Sequence, residues 1–345
     1  MKKLIIISSF ISGLFCGDIS GVSYFNYATG DADAGEAHGF SIERAYLTYE
    51  NDVSDKVSFK FQTDVKNSGD GNGWSLYLKN AKLDYVCKED MVFTLGLQDM
   101  NMFSTQQKTW GNRFLAKSSM DGNGWSSAAD LGMGVSKSLG DISASILYTN
   151  GEGYWNQSSD NNEKISLQAM YGEGDLIANE GFNVGGVFST LNYTSDCGCD
   201  GSCACGATCS ADGCTDTCDC GCGCGTDMTA QVMGLYGGFS GSGFRGGFEY
   251  NMGTDLNLDG YAESSSLMSF YGTYGLSFVE GLSVIVKYDM IDTDIDTDDT
   301  ETTTLLAGLS YQCAEGLVVS PNMLQTTIGV EDPTTAINLT FKFEF

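Results

Sequence analysis

The last ten residues of this 345-residue chain, AINLTFKFEF over 336 to 345, constrain its fold more than any other stretch. Side chains along an extended strand alternate between its two faces. Ile337, Leu339, Phe341, Phe343 and Phe345 therefore share one face, and Asn338, Thr340, Lys342 and Glu344 share the other. One face is wholly apolar and the other is polar. A strand of about ten residues with these two faces suits a transmembrane β-barrel, whose outer surface meets lipid and whose inner surface meets water.

Residues 1 to 17 begin with Lys2 and Lys3, continue through an apolar run from Leu4 to Phe15, and end on Cys16 and Gly17 before the first acid, Asp18. This is the pattern of a secretory signal peptide. It is too short for a membrane anchor, which needs about 20 apolar residues. Phe15 stands where a lipoprotein site would place a small residue. The expected division is a signal peptide over 1–17 and a barrel over 18–345.

No second long apolar run follows, which excludes a helical membrane protein. The chain has 45 Gly and only 2 Pro, and 42% hydrophobic residues with a mean hydropathy of −0.11, as alternating strands with one lipid face and one water face require. A net charge of −28 excludes a nucleic-acid partner, because phosphate binding needs a basic surface.

About sixteen alternating segments are found along the chain. Short turns are expected at 51–55, 88–90, 140–141, 173–181, 241–243, 280–281 and 315–316, and longer polar connections at 30–38, 66–73, 101–127, 151–162, 195–227, 254–262, 292–301 and 329–335. Short and long connections alternate, which is the rhythm of an outer-membrane barrel with tight periplasmic turns and larger extracellular loops. Over 74–87 the alternation slips between Leu78 and Ala81, a pattern expected either of a β-bulge or of a strand boundary drawn in the wrong place. Tyr24, Tyr49, Tyr85, Tyr148 and Tyr274, near strand ends, are candidates for interfacial girdles.

The third long connection carries Lys108, Trp110, Arg113, Phe114 and Lys117, with helical spacing between Arg113 and Lys117. Its amphipathic content predicts a loop folded into the barrel, where its charges would face a permeating solute in a narrow, strong field.

The segments GFSIERAYLTYENDVSDKVSFKFQTDV (39–65), LYLKNAKLDY (76–85), FTLGLQ (93–98) and QQKTWGNRFLAKSSMDGNGWSSAADLGMGV (106–135) resemble outer-membrane porins of Bacteroidetes-type bacteria and are distantly similar to the phosphate-selective porins. The resemblance covers roughly the first 155 residues, and the terminal Phe is similar to the insertion signal of bacterial outer-membrane barrels. It implies a sixteen-stranded barrel, usually a homotrimer, with the third loop in the pore. Carried onto this chain, it makes Lys108, Arg113 and Lys117 constriction candidates, with Arg44 and Lys60 on the barrel wall.

Ten of the 17 Lys and Arg residues lie between 44 and 117, whereas 289–301 carries Asp289, Asp292, Asp294, Asp296, Asp298, Asp299 and Glu301. A basic wall and an acidic mouth give a pore that leans toward anions, provided the bases point inward.

The stretch 195–227 packs Cys197, Cys199, Cys203, Cys205, Cys209, Cys214, Cys218, Cys220, Cys222 and Cys224 among Gly, Ala, Ser, Thr and Asp. With no apolar residues to build a core, it needs cross-links to become ordered. By parity it is the fifth extracellular loop. An even number of cysteines outside the cell favours disulfides, while the repeated Cys-X-Cys spacing is the alternative signature of a soft-metal site for Zn or Cu. Cys87 and Cys313 are expected to be free.

His38 is the only histidine, so a catalytic triad would depend on that one residue, and no nucleophile elbow or P-loop is present. The expected function is a non-enzymatic outer-membrane porin for small hydrophilic solutes, with no cofactor. Its partners would be outer-membrane lipid, the solutes and further copies of itself. The alternative is a barrel-anchored adhesion or binding protein whose Cys-rich loop captures metal or a partner.

Overall fold

A computed structural model describes residues 17–30, 38–67, 73–155, 162–194, 209–210, 213–214 and 227–345. The signal peptide expected over 1–17 lies outside the described residues except for Gly17, and the Cys-rich stretch lies outside them except for a two-residue ladder, Cys209–Ser210 with Gly213–Cys214.

Sixteen antiparallel strands form one closed barrel. The first half comprises β1 (Asp18–Thr29), β2 (His38–Ser54), β3 (Val57–Asn67), β4 (Trp74–Val86), β5 (Val92–Asp99), β6 (Ala129–Leu139), β7 (Ile142–Thr149) and β8 (Lys164–Gly172). The second comprises β9 (Gly181–Thr194), β10 (Asp227–Gly241), β11 (Phe244–Thr254), β12 (Ser264–Gly275), β13 (Leu282–Asp292), β14 (Glu301–Ala314), β15 (Leu317–Ile328) and β16 (Thr334–Glu344). Each strand pairs with its sequence neighbours, and β1 pairs with β16 to close the ring. Beyond the end of β16, the Gly21 and Phe345 backbones exchange two hydrogen bonds of 3.1 Å each. A Cβ on Gly21 would lie 2.3 Å from the Phe345 ring, so the absence of a side chain there lets the terminal aromatic lie flat on β1.

Short and long connections alternate around the ring as expected, because an up-and-down barrel returns to the same rim every second strand. At the β10–β11 turn, Ser242 and Gly243 both take positive φ, 54° and 79°, as a tight two-residue hairpin requires.

The strands turn an apolar face outward. Leu95, Met133, Phe182, Leu235, Phe270 and Ile337 are all more than half or close to half exposed, and together with their neighbours they form an apolar outer band. Tyr85, Tyr148 and Tyr274 are exposed with them. Tyr24 is not part of that band. It sits on the inner face of β1, 6.2 Å from the Tyr46 ring and 6.3 Å from Phe114, because the outward phase of β1 is set by Ile19 and Phe25.

The core lies between the strands and the 100–128 connection. Met102, Phe103, Met120 and Trp125 from that connection cluster with Met170, Val187, Val232, Tyr236, Leu267 and Ile291 from β8 to β13. Trp110 clusters separately with Tyr271, Ile285 and Leu306.

Candidate functional site in the barrel interior

The 100–128 connection contains two short helices, α1 (Ser104–Trp110) and α2 (Ser119–Gly122). The helical spacing read between Arg113 and Lys117 does not produce a helix. Gly111 takes a left-handed conformation, φ 71°, and its amide bonds Gln107 O at 2.9 Å, which ends α1 before Arg113.

Inner-face side chains hold α1. Gln168 donates to Thr105 Oγ1 at 3.1 Å, Asn183 to Thr109 Oγ1 at 3.3 Å, and Arg245 to the Trp110 carbonyl at 3.3 Å. Two inward glycines make room for the helix. A Cβ on Gly238 would come within 2.5 Å of Thr109 Cγ2, and one on Gly247 within 3.0 Å. Beyond α1, Asn112 Nδ2 donates to Thr273 Oγ1 at 2.8 Å, and Trp110 Nε1 to the Ala116 carbonyl at 2.8 Å.

α2 is tied to β13. Ser119 Oγ donates to Asp289 and accepts from Lys287 Nζ at 3.0 Å, and Lys287 also pairs with Asp289. Lys287, Asn251 and Glu249 are all buried, with Asn251 Nδ2 donating to Glu249 at 3.2 Å.

Between these anchors, residues 113–117 face β1, β2, β15 and β16 across a cavity of about 480 Å³. Its charged lining residues are Glu43, Arg44, Arg113 and Lys117, and the remaining wall mixes neutral polar side chains, among them Asn26, Asn322, Asn338 and Thr340, with the apolar Phe114, Leu115 and Leu324. Two carboxylates lie beneath the cations. Asp64 is fully buried and accepts from Arg44 Nη1 at 2.8 Å, from the Val65 amide at 2.8 Å, and from Tyr77. Asp121 pairs with Arg113 and lies 3.7 Å from Lys117. Burial lowers the proton affinity of Arg113, but Asp121 and Tyr46 outweigh it and hold the guanidinium above its ordinary value. In Lys117 burial prevails over Asp121, and its ammonium sits below the ordinary lysine value.

Two β-bulges set this charge arrangement. The β1–β2 register shifts beside Tyr24, leaving Glu43 without a partner and placing Arg44 beside it on the cavity wall. The β3–β4 register shifts between Gln62 and Thr63, which pair with Asn80 and Leu78 and leave Lys79 as the extra residue. Lys79 and Asn80, adjacent in sequence, are both buried on the inner side. This is the phase slip visible between Leu78 and Ala81.

Of the five cations singled out from sequence, Arg44, Arg113 and Lys117 come together. Lys60 is on the inner wall nearer the short-turn rim, paired with Glu50 at 3.3 Å and lining a separate polar recess with Lys82, Asp84 and Asp18. Lys108 pairs with Asp175, in the β8–β9 turn, at 3.4 Å. Asp289, read with the acidic stretch 289–301 as part of the mouth, instead lies within β13 and pairs with Lys287, while Asp64, Asp121 and Lys287 escaped sequence reasoning and Lys79 was legible only as one base of the 44–117 stretch and through the phase slip. Cys87 and Cys313 are free. His38 Nδ1 lies 3.0 Å from the Gly30 carbonyl. Among the described residues no cluster of His, Cys, Asp and Glu is suited to a metal ion, and no helix is long and apolar enough to cross a membrane.

Solved outer-membrane barrels share this architecture. OmpF of Salmonella typhi superposes with a TM-score of 0.63 at 13% identity, covering 95% of this chain and 97% of that one. The trimer form of OmpT of Vibrio cholerae has a TM-score of 0.58 at 13% identity, over 95% and 99%. The outer-membrane channel DcaP of Acinetobacter baumannii has a TM-score of 0.60 at 13% identity, over 95% and 97%. The fold is that of sixteen-stranded porins. At such identities the likeness establishes the fold alone. No family model matches the chain, and no curated protein matches it in sequence.

Proposed function

We propose that the protein is an outer-membrane porin that passes small hydrophilic solutes by diffusion, with the 100–128 connection folded inward as its constriction. The carrying observation is the cavity between residues 113–117 and the opposite wall, onto which Arg44, Arg113, Lys117 and Glu43 open. The apolar outer band supports a lipid-facing surface, since an exposed apolar surface this extensive is unstable in water. A polar interior needs no cofactor and no covalent step to conduct.

Within this reading the channel leans toward anions. Arg44, Lys79, Arg113 and Lys117 stand against Glu43, Asp64 and Asp121 on this side of the interior, an excess of one positive charge. A homotrimer is part of the proposal, by analogy with the trimer form of the Vibrio barrel. For the Cys-rich stretch the proposal is a disulfide-stapled extracellular loop, with soft-metal binding as its rival. Counting alkylatable thiols before and after reduction separates the two.

The channel reading is tested by single-channel current and reversal potential in a planar bilayer under a KCl gradient. Stable conductance steps with a reversal potential displaced toward the chloride value are expected. A membrane that stays silent at any protein density would overturn it.

A further inference from the structure

We propose that the long-connection side of the barrel interior holds a binding site for aromatic carboxylates, formed by Tyr77, Trp155, Arg44 and Lys79. The site deepens the channel reading by naming a solute class, and its occupancy does not require conduction.

The first observation is an ammonium group without a counter-charge. The β4 bulge turns Lys79 inward, where it is 6% exposed, and its Nζ has no hydrogen-bond partner among the described residues. Its neighbours are aromatic faces, with the Tyr154 ring centroid at 4.8 Å and the Tyr46 centroid at 5.6 Å. The charges that act on it are Arg113, Arg44, Asp121 and Asp64, and both carboxylates are already paired with the two guanidinium groups. Three cations thus stand against two carboxylates. Burying an unpaired ammonium is costly, and an anion brought close recovers part of that cost.

The second observation is an aromatic shelf beside the same charges. The Tyr77 and Trp155 ring centroids are 4.1 Å apart, Tyr154 and Trp155 are 4.7 Å apart, and Tyr77 and Tyr154 are stacked at 5.7 Å with 12° between their planes. Trp155 is 47% exposed. Arg44 Nη1 donates to the Tyr77 hydroxyl at 2.9 Å, so the shelf and the guanidinium are joined directly. Arg44 also lines the cavity, where its planar fork can receive a carboxylate.

A solute matched to both features has a flat apolar ring to lie on the shelf and a negative group to meet Arg44, with Lys79 adding attraction through the Tyr154 ring. Small aliphatic anions satisfy only the charge, and neutral aromatic alcohols only the shelf.

The test uses the full chain folded in detergent micelles, with benzoate, acetate and benzyl alcohol titrated by ligand-observed NMR, and the same solutes added to the planar bilayer. Benzoate is expected to bind at least roughly fivefold more tightly than either control, which corresponds to one aromatic contact. Trp155→Ala and Lys79→Met are each expected to weaken benzoate about fivefold, with Lys60→Gln unchanged. Trp155 is in a connection, so its variant keeps the test informative if Lys79→Met fails to fold. Equal affinities for benzoate and acetate, or benzoate binding unaltered in Trp155→Ala, would overturn the site. Benzoate binding to a barrel that carries no current would leave the site standing and remove the channel reading, whereas current without selective binding would do the reverse.

Discussion

Lys287, on β13, donates from its Nζ to Ser119 Oγ, on α2, at 3.0 Å, joining residues 168 positions apart. Asp289 accepts from both, and from Ser269 Oγ at 2.6 Å. The tip of the 100–128 connection is thus clamped to the wall by a lysine that is 2% exposed. Lys287→Met leaves Asp289 and the buried Glu249 without this cation, at a cost of about 3–5 kcal/mol. Ser119→Ala removes a neutral hydroxyl that bonds two charged groups, at about 1.5–3 kcal/mol. Circular-dichroism melts in detergent are expected to fall in that order, with flickering single-channel current in Lys287→Met. An unchanged melt for Lys287→Met rules the clamp out.

The glycines behind α1 are a second mechanical control. Gly238→Ala drives a Cβ against Thr109 Cγ2, and overpacking of this kind costs about 1–3 kcal/mol. The single variant is expected to lower the melting temperature and shift unit conductance. Adding Thr109→Ala is expected to restore both, and failure of the pair to compensate counts against the contact.

Charge removal separates the cavity cations from those elsewhere. Arg113→Gln leaves Asp121 with only Lys117, 3.7 Å away, so reversal potential is expected to move toward the potassium value, and Lys117→Gln moves it less far. Lys108→Gln, whose side chain pairs with Asp175 outside the cavity lining, is expected to leave it nearly unchanged. A shift in Lys108→Gln as large as that in Arg113→Gln would place the selective region elsewhere.

The lowered proton affinity of Lys117 gives a pH signature. Its folded value lies below the ordinary 10.5, so on raising pH it discharges before an unfolded lysine does. Between the two values the unfolded chain binds more protons, and the contribution of Lys117 to stability rises with pH. Anion preference is expected to decline as pH is raised toward 10.5, earlier than for an unshifted lysine, with a smaller decline in Lys117→Gln. Reversal potentials measured across that range in both proteins decide it.

The charged site was only partly legible beforehand. Arg44, Arg113 and Lys117 stood out as cations in a basic stretch and do converge, but Lys108 and Lys60 looked equivalent to them and have acidic partners elsewhere. Which of five lysines and arginines meets which carboxylate depends on distances across the lumen, and local pattern carries no information about those.

The strands and their phase follow from sequence alone, because period-two alternation is a local property. Ile337, Leu339 and Phe343 must share a face whatever the partner strand is, and connections of alternating length then dictate an up-and-down ring. Even the β4 bulge showed as a slip between Leu78 and Ala81. Closure decided the rest. Only the register of the finished barrel gives Lys79 a buried position with no hydrogen-bond partner among the described residues, brings Phe114 against Tyr24, and brings Lys287 to Ser119. Those contacts join segments far apart in the chain, and their energies exist only once the barrel holds the segments together.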